Sequence, residues 1–169
     1  MLRPGAPRSG FTLLESVVTL VILGLLASFA LQSLHIAGER ESLAAERLVA
    51  DIRYAQSWAM MSRNKTWAVF DAAANRYTLY AENPASPGRA DRVIMVDPLA
   101  LASFQVTLGD DEMAGVALSS PSFGGQVEVE FDRNGLAYDG FDAPLASDGS
   151  VRVGDRTVTV SPAGWVGVS

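Results

Sequence analysis

Residues 11–34 read FTLLESVVTLVILGLLASFALQSL and contain a single charge, Glu15. A run of about 20 apolar residues, rising ~1.5 Å each, spans a hydrocarbon layer of about 30 Å. The stretch therefore predicts a membrane-spanning helix. Arg3 and Arg8 precede it with no acidic residue between, and positive charge holds that flank in the cytoplasm. The rest of the chain is expected on the far side of the membrane.

Beyond the apolar run the helical pattern continues through HIAGERESLAAERLVADIRYAQSWAMMSRN. Leu48, Ile52, Ala55 and Ala59 recur at spacings of four and three, with Val49, Gln56 and Met60 beside them. Glu39, Arg40, Glu46, Arg47, Asp51 and Arg53 lie mostly off that stripe. One face of this half is thus built for a core. Asn64 is the expected stop, because β-favouring Thr66, Trp67 and Val69 follow.

After Asn64 the period changes to two. Residues 67–70 and 77–80 read as strands joined in a hairpin through 71–76. Further strands are expected over 93–96, 104–108, 126–131, 156–160 and 165–168. In the 126–131 strand, Val127, Val129 and Phe131 share one face. Asn134-Gly135 reads as a turn, and residues 83–88 (NPASPG) as a loop. The predicted architecture is α+β: one long N-terminal helix packed on an antiparallel sheet. Trp58 and Trp67 are expected in the core, and Trp165 in the core or at a partner contact.

Composition narrows the function. The 169 residues carry 19 acidic and 13 basic side chains, a net charge of −6. Such a chain offers no electrostatic footprint for a phosphate backbone, so nucleic acid is excluded as a partner. Cysteine is absent and histidine occurs once, at His35. Thiol chemistry, disulfides and zinc ribbons are therefore unavailable. No phosphate-cradling glycine loop followed by Lys occurs. An enzyme, a cofactor and a catalytic residue are accordingly not expected, nor is a metal site. The acidic stretch holding Asp132, Asn134, Asp139 and Asp142 does not have the ligand spacing of an EF-hand loop. Whether this stretch takes calcium stays open at this point.

Three readings of the N-terminus compete. A secretory signal peptide would be cut after Ser28-Phe29-Ala30, releasing a soluble binding module. A plain anchor would keep the whole chain. A leader cut between Gly10 and Phe11 would leave the apolar run as the new N-terminus. Glu15 separates them. A carboxylate at the centre of a span costs about 2.5–3.5 kcal/mol, and less near its end. Neither of the first two readings uses it. In the third, cleavage creates an α-amine at Phe11, which Glu15 of a neighbouring subunit can pair with. Such a buried pair adds little stability but fixes register.

The residues Ser9-Gly10-Phe11-Thr12-Leu13-Leu14-Glu15 closely resemble the processing site of type IV prepilins. The resemblance implies cleavage after Gly10 by a prepilin peptidase and N-methylation of Phe11 by the same enzyme. It assigns residues 1–10 to a leader, 11–35 to a transmembrane half-helix and 36–169 to a periplasmic pilin-like domain. The stretch RLVADIRYAQSWAMMSRNKTWAVFD, with Val129-Glu130-Phe131-Asp132, Val158-Thr159-Val160 and Gly164-Trp165, is similar to the H-type minor pseudopilins of type II secretion and the FimT-type minor pilins. That likeness implies a single-pass inner-membrane subunit assembled with other major and minor pseudopilins, in contact with inner-membrane lipid and with secreted cargo. The alternative is a minor pilin of a type IV or competence pilus.

Overall fold

The computed structural model describes residues 13–110 and 113–169, with residues 29–37 described by backbone alone. It divides into two compact units, Met1–Ile36 and Ala37–Ser169. Helix α1 runs over Leu13–Ser62 and ten strands follow. These are β1 (Thr66–Asp71), β2 (Arg76–Ala81), β3 (Val93–Ile94), β4 (Gln105–Thr107), β5 (Leu118–Ser122), β6 (Glu128–Phe131), β7 (Ala137–Tyr138), β8 (Gly149–Val153), β9 (Arg156–Val160) and β10 (Val166–Val168).

Arg63 ends the helix. Its φ of 58° takes the chain out of the helical path, and the Ser62 hydroxyl accepts from the Asn64 amide at 3.3 Å. Left-handed residues are common stops of this kind. Thr66, first in β1, then donates its hydroxyl to the Ala55 carbonyl at 3.0 Å and ties the strand to the helix it has just left.

The strands form two antiparallel sheets where one was expected. The first has the order β3-β2-β1-β6-β7, with β4 also paired to β2. The second has the order β10-β9-β8-β5. The β1–β2 hairpin turns at Asn75, whose φ is 50°. Asn75 also links the sheets' connecting loops. Its side-chain amide donates to the carbonyls of Leu108 and Val116 at 2.6 and 2.9 Å, and its oxygen accepts from the Leu118 amide at 2.6 Å.

The helix contributes Ala44, Ala45, Leu48, Val49, Ile52, Ala55 and Ala59 to a common core. Small residues let the sheets approach, while Leu48 and Ile52, fully buried, fill the space between. Each such aliphatic side chain contributes about 1.5–3 kcal/mol by leaving water. Phe70 stacks on Phe123 with centroids 5.2 Å apart, joining the two sheets.

Four expectations need correction. Met60 is 45% exposed and leaves the stripe. Trp58 and Trp165 are not core residues, at 39% and 61% exposure; only Trp67 is buried. Strand β6 does not alternate between core and solvent. Val127 lies outside it and is exposed, while Glu128 and Glu130 are as buried as Val129 and Phe131. Finally, β5, β7 and β8 were not anticipated.

Candidate assembly interface

The N-terminal unit presents apolar side chains on every side. Leu20, Val21, Ile22 and Leu23 are 68, 56, 51 and 55% exposed. Successive residues sit about 100° apart around a helix, so these four cover its circumference. A helix apolar all round belongs inside a bundle or in lipid. Among the described residues, no helix is long and apolar enough to cross a membrane. Glu15 lies in the first turn of α1 and is exposed. A carboxylate there suits the positive end of the helix dipole. Gly10 and Phe11 lie outside the described residues.

In the second unit the core-facing seam is held by polar contacts that span long sequence separations. Gln56 donates its amide to the carbonyls of Gly135 and Gly164, at 2.7 and 2.8 Å. Arg53 donates to the Val166 carbonyl at 2.6 Å. Asp51 accepts the Tyr77 hydroxyl at 2.5 Å, with Arg47 at 3.9 Å. Burial raises the Asp51 pKa, and the Tyr77 and Arg47 contacts oppose that rise. Burial also raises the Tyr77 pKa, and the neighbouring Asp51 charge adds to the rise.

The outer face of the first sheet carries a second, polar cluster. Glu128 pairs with Arg89 and, at 3.0 Å, with Arg92. The Arg92 guanidinium lies over Tyr80 and Trp67, at 4.6 and 5.6 Å from the ring centroids. Arg89 sits over Phe141 at 4.1 Å. Glu130 accepts the Trp67 indole N–H at 2.9 Å and pairs with Lys65 at 2.8 Å, and Lys65 also reaches Asp142. Arg89 and Arg92 thereby strap loop 82–92 onto the sheet over Glu128, while Glu130 is held by Trp67 and Lys65. Sequence reasoning missed this cluster. Its one legible signal is the pair of glutamates alternating within Val127–Phe131, beside a loop holding two arginines.

The acidic loop is occupied with its own backbone. Asp132 accepts from the amides of Asn134 and Leu136, and Asp139 from those of Phe141 and Ala143. Among the described residues, no group of three or more His, Cys, Asp or Glu side chains could hold a metal ion.

Comparison with known proteins agrees with this geometry. The prokaryotic N-terminal methylation motif matches residues 6–31. The type II transport protein GspH family matches residues 44–164. The fold is similar to the minor pseudopilin EpsH from the type 2 secretion system of Vibrio cholerae, with a TM-score of 0.56 at 11% identity, over 76% of this chain and 94% of that one. The type IV minor pilin FimU of Pseudomonas aeruginosa is a looser likeness, with a TM-score of 0.46 at 14% identity, over 76% of this chain and 91% of that one. No curated protein sequence matches the chain. A methylation motif precedes a helix and two antiparallel sheets, and the family match covers most of the chain: it belongs to the type II transport protein GspH family.

Proposed function

We propose that the chain is cut between Gly10 and Phe11 by a prepilin peptidase and N-methylated at Phe11. Residues 11–35 then anchor it by a single pass in the inner membrane, N-terminus cytoplasmic and head periplasmic. From there it enters a periplasmic pseudopilus beside other major and minor pseudopilins, and the head meets secreted cargo. Glu15 sets register by pairing with a neighbour's N-terminal amine. The part is structural, and the energy for movement comes from elsewhere in the machine.

The observation that carries this reading is the combination of a helix apolar on all sides with one carboxylate in its first turn. An anchor needs the apolar sides and has no use for the carboxylate; an assembling helix uses both.

Mass spectrometry of the mature N-terminus, on protein extracted from native membranes, tests it. The expected product starts at N-methylated Phe11. A soluble product starting at Leu31 would overturn the reading.

A further inference from the structure

Near the C-terminal end of α1 lies a pocket of about 330 Å³, lined by Arg63, Lys65, Arg133, Glu82, Glu130 and Asp132 among others. Three cations and three carboxylates suggest a neutral site, but they are not equally engaged. Glu82 accepts from the amides of Lys65 and Gly88, at 3.2 and 3.0 Å. Glu130 is held by Trp67 and Lys65. Asp132 accepts from two backbone amides and from the Asn134 side chain. Lys65 is shared between Glu130 and Asp142. Among the described residues, the guanidiniums of Arg63 and Arg133 have no hydrogen-bond or ion-pair partner. The donors left over therefore belong to two arginines.

Both arginines stand on fixed backbone. Arg63 is the left-handed residue that stops the helix. Arg133 sits in the turn that Asp132 closes, where the Gly135 amide donates to the Asp132 carbonyl at 2.9 Å. Gln56 holds the same turn to the helix through the Gly135 carbonyl. Fixed attachment points lower the ordering cost of binding. Two forked guanidiniums match the planar, two-oxygen face of a carboxylate. The three acids in the lining stay charged, and their repulsion rises with the charge of the anion, so a carboxylate is opposed less than phosphate.

We propose that this pocket takes the carboxylate of an acidic side chain on a neighbouring filament subunit. The inference deepens the assembly reading and rests on it for the source of the carboxylate. Each exposed pair is weak by itself, and a filament adds such contacts together.

The test uses the full chain in detergent micelles with ¹⁵N-labelled arginine. It is titrated with a short Asp/Glu peptide, its Asn/Gln counterpart, succinate and inorganic phosphate. The acidic peptide should give saturable shifts of the Arg63 and Arg133 Nε signals, and the amide counterpart none. R63Q and R133Q should each weaken binding about two- to fivefold. The Trp67 indole signal, set by its bond to Glu130, reports that each variant is folded. Absence of a saturable shift overturns the proposal. Tighter saturation by phosphate or succinate than by the peptide also overturns it, in favour of a free-anion site. The titration needs no filament, so its failure leaves the assembly reading standing. An N-terminus at Leu31 would sink the assembly reading and leave the shifts in place.

Discussion

Tyr77 donates its hydroxyl to Asp51 at 2.5 Å across the seam between α1 and β2. Both groups have raised pKa values, so each makes stability fall as pH rises through its own range. Burial raises the Asp51 pKa above its ordinary 3.8, so the folded state binds the proton more tightly than the unfolded state. The stability linked to that proton is complete below the unfolded value and is lost as pH rises through the folded one. Asp51→Asn should flatten this slope on the acidic side of neutrality, read as urea midpoints at successive pH values. The Tyr77 pKa is raised too, so above about pH 10 only the unfolded chain ionises freely and stability falls. Tyr77→Phe should remove that alkaline loss while weakening the fold at neutral pH by about 1–3 kcal/mol.

Gly164 has a φ of 83°, and a Cβ there would meet the Gly135 carbonyl and the Gln56 amide. Gly164→Ala should destabilise by about 2–3 kcal/mol, through strain and collision together. Gln56→Ala should cost about 1–3 kcal/mol by leaving two carbonyls unpaired. The double variant should fall short of the sum, because both changes break the same contact. Urea denaturation of the four proteins in the cycle measures this.

Glu128 is buried between Arg89 and Arg92. Glu128→Ala removes one member of a buried cluster and should cost about 3–5 kcal/mol. Arg89→Ala should cost much less, since 43% of that side chain is exposed. Thermal unfolding should therefore rank Glu128→Ala as the less stable of the two.

Glu15→Ala should leave membrane insertion intact, because it removes a charge from the apolar run. It should impair assembly or methylation. Normal secretion by this variant would count strongly against the register argument. Replacing Gly10 by a bulky residue should instead leave the longer precursor in the membrane, seen as slower migration on a gel.

The sequence made the helix and the first hairpin plain because their patterns are strong and local. Leu48, Ile52, Ala55 and Ala59 mark one helix face, and residues 67–80 alternate around a turn. Strand β5 escaped because LSSPS is polar and contains Pro121. It also has a register shift between Ser119 and Ser122, and Ser120 has a φ of 49°. Alternation says that Val129 and Phe131 share a face, not whether solvent lies beyond the other one, where Glu128 and Glu130 are buried. Here a loop 36–39 residues away in sequence supplies the arginines. The carboxylate pocket was equally hidden, since Arg63 and Arg133 become neighbours only when β1 and β6 pair.

Residues 164–169 fasten the head. Gly164 and Val166 give their carbonyls to Gln56 and Arg53, and the Ser169 amide and carbonyl both bond to Thr157 at 3.0 Å. Without residues 164–169, the helix loses its polar contacts to this edge of the second sheet. A subunit clipped after Ser161 would carry an open β9 edge and idle donors at Arg53 and Gln56, a surface on which another strand could settle.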